Sequence, residues 1–132
     1  MSFMGMNYLA VLVSAIAGFA FGAVWYTVLG KSWMAALGWT EQPKPDPKIF
    51  AMTFVCQLFM AFMMAGLIGH LGELTLRNAV ISGGFVWVGF VLPTMIVNHR
   101  FQGQRWSLTL IDGGHWLGVL LVIGTVIGLF GA

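Results

Sequence analysis

Charged residues are scarce in this chain. Its 132 residues include six Lys or Arg and four Asp or Glu, so that 8% of the sequence is charged and 59% is hydrophobic. About a quarter of the residues in a soluble domain are charged, so this composition is typical of an integral membrane protein whose main partner is the lipid bilayer. The small positive surplus reflects a shortage of acids, which argues against a surface that binds nucleic acid.

Cysteine and the common catalytic motifs are also missing. Cys56 is the only cysteine, which excludes an intrachain disulfide, and we expect it to be a buried packing residue. The patterns GxGxxG, HExxH and CxxC are absent, as is any nucleophile and base pair at a recognisable spacing. The sequence therefore predicts no catalytic residue, no metal site and no cofactor, and an enzyme is the less favoured class.

Four long apolar runs are present instead. They predict transmembrane spans at about residues 8–30, 49–71, 78–97 and 110–131, each long enough to cross a bilayer. The runs are continuous rather than alternating, which favours helices over the strands of a barrel. We expect an all-α polytopic membrane protein, a single transmembrane domain over residues 1–132 built as a four-helix bundle with short loops.

Basic residues mark one side of the membrane. The loop at residues 31–48 and the link at residues 98–107 lie on the same side and hold five of the six basic residues. By the positive-inside rule both segments are cytoplasmic and both termini lie outside, as in a protein of the bacterial inner membrane. No basic cluster precedes the first apolar run and no small-residue cleavage site follows it, so we expect a retained span.

Small residues recur at four-residue intervals within the spans. Such spacing lets two helix backbones approach closely, where van der Waals contact replaces the missing hydrophobic effect. Packing within one subunit and a homo-oligomer interface both explain the pattern. The glycine pairs are Gly18 with Gly22, Gly114 with Gly118, and Gly124 with Gly128.

Two segments also resemble each other. "GAVWYTVL" from Gly22 is similar to "GFVWVGFVL" from Gly84, with one residue inserted. A duplication would make the protein two related helix pairs in parallel orientation, an arrangement known in larger transporters. Chance similarity is the alternative.

Polar residues near the ends of the third and fourth spans form the candidate site. Ionisable groups inside a membrane are costly, so each is a functional hypothesis by default. Asp112 and His115 share a helix face, and the short link makes these two spans neighbours. The predicted cytoplasmic cluster consists of Asn98, His99, Arg100, Arg105, Asp112 and His115.

The two ends of the chain carry a family resemblance. "NHRFQGQRWSLTLIDGGHW" and "FGAVWYTVLGKSWMAALG" resemble the closing and opening signatures of a small bacterial and fungal membrane family catalogued as domain-of-unknown-function family 1761. The resemblance implies four spans and no known activity. The matching residues in the first segment are Trp25, Tyr26, Gly30, Lys31 and Trp33, and those in the second are Asn98, His99, Phe101, Asp112, Gly114 and His115. We expect both groups to contribute to one site.

Asp112 has two interpretations. As a helix cap, it would accept hydrogen bonds from the free backbone donors in the first turn of the fourth helix, with Arg100 or Arg105 as an ionic partner. As a functional site, it would hold a ligand or a proton together with His99 or His115.

The sequence ranks three classes of function. The first is a structural or accessory membrane component, either a homo-oligomer or a subunit of a larger membrane complex, favoured by abundant packing motifs. The second is a small transporter or channel with a proton or cation site at Asp112, His115 and His99. Its weakness is the lack of a visible polar stripe through the bilayer centre. The third is a membrane enzyme or a protein that binds haem or another pigment through a histidine.

Overall fold

The computed structural model describes residues 6–131, which are helical apart from short connections. Four of the helical segments are long and apolar enough to cross a membrane, and no strand occurs among the described residues. The prediction of an all-α four-helix membrane bundle is confirmed. The helices are α1 Tyr8–Val28, α2 Gly30–Leu37, α3 Pro47–Leu71, α4 Leu76–Val86, a π-helical turn Trp87–Val91, α5 Leu92–Phe101 and α6 Trp106–Phe130.

Three helix starts follow directly from their local sequences. The side chains of Asn7, Asp46 and Thr75 accept hydrogen bonds from backbone N–H groups in the first turns of α1, α3 and α4. These side chains satisfy donors that have no partner within the helix. Pro47 follows Asp46 at the first position of α3, where its missing N–H costs nothing.

The loop predicted at residues 31–48 is partly helical. It contains the short helix α2, which follows α1 after a single residue and ends at Gly38 with a φ of 76°. Glycine adopts this left-handed conformation without steric cost, and it is the usual residue after a helix end. The composition of this segment did not distinguish a short helix from a loop.

The third span is a composite of α4, the π-helical turn and α5. It runs from Leu76 to Phe101, beyond the predicted residues 78–97 at both ends. Pro93 lies at the start of α5 and has no N–H to donate to the preceding turn. The wider π-helical turn before it accommodates the lost hydrogen bond within one continuous helix.

Helix α6 occupies the centre of the bundle and contacts every other helix. It packs chiefly between α1 and α4, while α3 packs against α1. The bundle has a Lys31 end, where α1 ends and α6 begins, and a Glu73 end, where α3 connects to α4. Buried apolar residues from α1, α3, α4 and α6 form the core: Val11, Ala15, Ala61, Met64, Ala65, Ile68, Ala79, Val119, Leu120, Ile123 and Ile127.

The predicted glycine pairs pack inside the chain. A Cβ on Gly128 would lie 2.6 Å from Leu76 Cα of α4, and one on Gly124 would lie 2.8 Å from the Ala79 carbonyl oxygen. Nearer the Lys31 end of α6, the rings of Trp25 and Phe21 of α1 lie against Gly114 and Gly118. Gly18 and Gly22 face α3 and α6 from α1. These contacts support packing within one subunit, so the glycine pairs do not indicate a homo-oligomer interface.

Apolar side chains also cover the outside of the bundle. Phe59, Phe85 and Phe90 are each about two-thirds or more exposed, as expected for side chains that face lipid. Cys56 lies on this exposed surface, so the expectation that it is buried was wrong. A single polar or small residue in an apolar run does not reveal which side of the helix faces the interior.

Candidate functional site

The shortest polar contact between helices joins α1 to α6. The hydroxyl of Tyr26 donates a hydrogen bond of 2.6 Å to Oδ1 of Asp112, whose side chain is 21% exposed. Asp112 lies in the second turn of α6, because this helix begins at Trp106 rather than at residue 110. The interpretation of Asp112 as the helix cap was therefore wrong, since the carboxylate interacts with a neighbouring helix.

His99 approaches the other oxygen of the same carboxylate. Its Nε2 lies 4.0 Å from Asp112 Oδ2, and its Nδ1 lies 2.7 Å from the hydroxyl of Thr109. The distance to Asp112 exceeds the length of a hydrogen bond but is short enough for an intervening proton carrier such as water. Thr109, which is 3% exposed, was not predicted as part of the cluster.

The two arginines of the cluster have partners other than Asp112. Nη2 of Arg100 donates to the carbonyl oxygens of Gln104 and Arg105 and to the Thr109 hydroxyl, at 2.9 to 3.2 Å. Its guanidinium also stacks on the Trp106 ring at 3.7 Å. The prediction that Arg100 or Arg105 pairs with Asp112 was wrong, because these contacts hold the Arg100 side chain at the turn between α5 and α6.

Arg105 connects that turn to α2. Its Nη1 donates a hydrogen bond of 2.9 Å to the carbonyl oxygen of Ala35. This oxygen belongs to the last turn of α2, where carbonyl groups lack partners within the helix. The contact fixes α2 against the start of α6.

His115 lies deeper in the bundle than the rest of the cluster and is 5% exposed. The rings of Trp116, Tyr26 and Phe21 surround it, with centroids at 4.5, 4.8 and 6.4 Å. Its Nε2 faces Gly22 of α1, where an added Cβ would lie 2.7 Å away. Its Nδ1 has no hydrogen-bond partner within residues 6–131. The expectation that the polar residues of the site lie near span ends was wrong for His115, which is roughly 13 Å along α6 from Trp106 at the usual helical rise.

Two tryptophans connect neighbouring helices to the same part of α6. The indole N–H of Trp25 donates to the carbonyl oxygen of Ile111 at 3.0 Å, and that of Trp87 donates to the carbonyl oxygen of Gly113 at 2.8 Å. These bonds fix the backbone on both sides of Asp112. The carboxylate therefore occupies a rigid position between α1 and the third span.

The other predicted residues lie at the edge of the cluster or outside it. Trp33 of α2 packs edge-on against the Tyr26 ring, with centroids 5.6 Å apart. Lys31 and Asn98 are exposed, and neither side chain has a hydrogen bond or ion pair among the described residues. The cluster that the structure brings together is Tyr26, His99, Arg100, Thr109, Asp112 and His115.

Gln57 of α3 was not predicted as a site residue. It is 1% exposed, and its Oε1 has no hydrogen-bond partner within the described part of the chain. This oxygen faces Gly18, where an added Cβ would lie 3.0 Å away. The sequence did contain a signal that could have identified Gln57 as a site residue, because it is the only long polar side chain within the second span.

Comparison with known proteins agrees with the resemblance carried by the two ends of the chain. The model of a family described as a protein of unknown function, DUF1761, matches residues 9–128. The chain belongs to this family. No curated protein and no solved structure matches it.

In this DUF1761 protein the two segments that carry the resemblance meet in space. Tyr26 and Trp25 come from the first segment, and both donate hydrogen bonds to residues of the second. Both segments therefore contribute residues to one cluster, as expected from the resemblance. Membership of DUF1761 assigns no activity to that cluster.

Proposed function

We propose that this protein moves protons across the membrane and that Asp112 is the proton acceptor near its Lys31 end. The observation that carries the proposal is the isolation of the Asp112 carboxylate from permanent cations. Among the described residues, the only basic nitrogen within 4.0 Å of it is His99 Nε2. Arg100 belongs to the same cluster, but its Nη2 donates hydrogen bonds to the Gln104 carbonyl oxygen and the Thr109 hydroxyl rather than to Asp112.

A carboxylate without a permanent cation is costly at membrane depth. Its charge must be balanced by a mobile cation or removed by protonation. The Tyr26 hydroxyl donates a hydrogen bond to one oxygen of the carboxylate, and the imidazole of His99 lies 4.0 Å from the other oxygen. Asp112 and His99 together are suited to passing a proton between water at the Lys31 end and the bundle interior.

The side chains of the cluster fit a proton better than a metal cation. Metal sites in proteins usually need three or more ligands from His, Cys, Asp or Glu. No group of three such residues capable of holding a metal occurs within residues 6–131. Asp112 and His99 alone provide an acid and a base, which is sufficient for proton exchange.

Flux measurements on proteoliposomes test this function. The purified protein is reconstituted with a trapped pH indicator, and a potassium diffusion potential drives protons inward. Wild-type protein should acidify the lumen faster than empty liposomes do, and Asp112→Asn should abolish the difference. Asp46→Asn is the matched control, because Asp46 is an exposed helix cap and Asn also caps well.

Two outcomes would contradict the proposal. Equal flux in wild type and Asp112→Asn would remove Asp112 from the path. Wild-type flux no higher than that of empty liposomes would exclude proton movement and favour the structural or accessory role, as a homo-oligomer or as a subunit of a larger membrane complex.

The orientation of the site follows from the basic residues. Five of six Lys and Arg residues lie at the Lys31 end, so we place this end in the cytoplasm of a bacterial cell, with both termini outside the inner membrane. Ser32 is exposed at this end. Ser32→Cys in a Cys56→Ala background should resist an impermeant thiol reagent in intact cells and react after lysis. Labelling in intact cells would reverse the orientation.

A further inference from the structure

One face of α1 carries only small side chains from Ser14 to Gly22. Ser14, Gly18 and Gly22 lie at four-residue intervals, and Tyr26 continues the same row at the Lys31 end. Residues spaced in this way lie above one another on a helix. Ser14, Gly18 and Gly22 are buried, so the row faces the interior of the bundle.

Polar atoms from two other helices occupy the space that the glycines leave. Nε2 of His115 from α6 faces Gly22, 2.7 Å from the position of an added Cβ. Oε1 of Gln57 from α3 faces Gly18 at 3.0 Å, beside Cγ1 atoms of Ile123 and Val119 from α6 at 3.3 and 3.4 Å. A larger residue at either position would displace a polar atom. The glycines of α1 therefore make room for polar side chains as well as for helix packing.

Two of these buried polar groups lack partners in the protein. Gln57 is 1% exposed and His115 is 5% exposed, yet Gln57 Oε1 and His115 Nδ1 make no hydrogen bond within residues 6–131. Unpaired buried polar groups are rare because each one is costly. Internal water is the usual partner of such groups.

The spacing along α1 suits bridging by water. Gly18 and Gly22 are four residues apart, which is roughly 6 Å along the axis at the usual helical rise. His115 Nε2 and Gln57 Oε1 therefore lie at levels about one helical turn apart along α1, a separation suited to bridging water rather than to a direct hydrogen bond. The unpartnered Nδ1 is the second nitrogen of the same His115 ring. Ser14, which is fully buried, continues the row by one further turn.

We infer that Asp112, Tyr26, His115, Gln57 and Ser14 form a hydrated polar row that carries protons between the Lys31 end and the middle of the membrane. This inference deepens the proposed function and depends on it. The Asp112 carboxylate bonds to Tyr26, the Tyr26 ring packs on His115, and the small face of α1 connects His115 to Gln57. The row is the polar stripe that the sequence did not reveal.

The row ends against an apolar layer toward the Glu73 end. Beyond Ser14, the interior is filled by Val11 of α1 and by Ala65 and Ile68 of α3, all of which are buried. Apolar constrictions of this kind stop water and ions until a conformational change opens them. In this inference, protons enter the row from the Lys31 end, and the apolar layer closes the row toward the Glu73 end.

Replacement of Gln57 tests the row without altering Asp112. Gln57→Met keeps the length of the side chain and removes its polar atoms, including the unpaired oxygen, so the fold should tolerate it. Proton flux should fall to the level of empty liposomes, while the thermal stability of the variant in detergent stays equal to that of wild type or rises. Gln102→Met, at an exposed position between α5 and α6, should retain wild-type flux.

The outcomes separate this inference from the proposed function. Wild-type flux in Gln57→Met together with loss of flux in Asp112→Asn would overturn the row and leave the Asp112 site standing. Unchanged flux in both variants would overturn both.

A second variant covers the case in which Gln57→Met does not fold. Ser14→Cys, in a Cys56→Ala background, places a thiol at the far end of the row. If water reaches Ser14, Ag⁺ added on both sides should block the flux of this variant and leave that of the Cys56→Ala parent unchanged. Equal flux with and without Ag⁺ in the Ser14→Cys variant would contradict a hydrated row.

Discussion

Trp25 and Trp87 donate their indole N–H groups to α6 from opposite sides, at carbonyl oxygens only two residues apart. The two tryptophans occupy corresponding positions in the similar segments "GAVW" and "GFVW". Equivalent residues of the two segments therefore make equivalent contacts with one central helix. These contacts surround Asp112 and fix its backbone.

Loss of either indole bond should destabilise the bundle. Trp25→Phe and Trp87→Phe each remove a partly buried hydrogen bond and should lower the free energy of unfolding by about 1 to 2 kcal/mol. The measurement is unfolding by sodium dodecyl sulfate in mixed micelles, followed by far-ultraviolet circular dichroism. Trp39→Phe is the control, because Trp39 is 45% exposed. Equal losses in all three variants would show that the indole bonds contribute no specific stability.

The bond between Tyr26 and Asp112 should contribute a measurable coupling energy. A short hydrogen bond to an ionised group contributes about 1.5 to 3 kcal/mol, so Tyr26→Phe should destabilise the protein by an amount in this range. A double-mutant cycle with Asp112→Ala, which removes the acceptor oxygen, isolates the pair, and the two losses should not add. Additivity within about 0.5 kcal/mol would mean that the two side chains are independent.

The architecture could be predicted from composition and run length because a bilayer leaves few alternatives. Continuous apolar runs must form helices, and four of them in so short a chain must pack together. The association of His99 and Asp112 also followed from the short link between the third and fourth spans. Local chemistry and chain connectivity determine both features.

The partners of Asp112 depended on information that the local sequence does not contain. Helix α6 begins four residues earlier than predicted, which moves Asp112 from a cap to an interhelical position. Tyr26 and Gln57 reach the interior only through the rotation and register of α1 and α3. Apolar runs with little amphipathic pattern do not specify which face turns inward, because lipid and protein interior are similarly apolar.

Arg100 should stabilise the turn between α5 and α6 through its planar guanidinium. One nitrogen bonds to two backbone carbonyls and to Thr109, and the plane stacks on Trp106. Arg100→Lys keeps the charge but loses this geometry, and we expect a loss of about 1 to 2 kcal/mol. Hydrogen exchange of the backbone amides at residues 101–106 should accelerate.

The control for that exchange experiment is Arg77→Lys, at an exposed position near the start of α4 on the opposite end of the bundle. Its exchange at residues 101–106 should match that of wild type. Equal protection of this turn in Arg100→Lys and wild type would show that the charge, rather than the planar group, holds the turn together.

Glycine should be required at Gly128 and dispensable at Gly84, although both lie in spanning helices. A Cβ on Gly128 would lie 2.6 Å from Leu76 Cα, so Gly128→Ala must push α4 away from α6 and should cost about 1 to 3 kcal/mol. A Cβ on Gly84 would meet nothing within 4 Å, and Gly84→Ala should stabilise α4 by about 0.5 to 1 kcal/mol through its higher helix propensity. Unfolding in mixed micelles measures both changes. Equal effects of the two substitutions would mean that α4 and α6 do not pack as closely as the Gly128 contact requires.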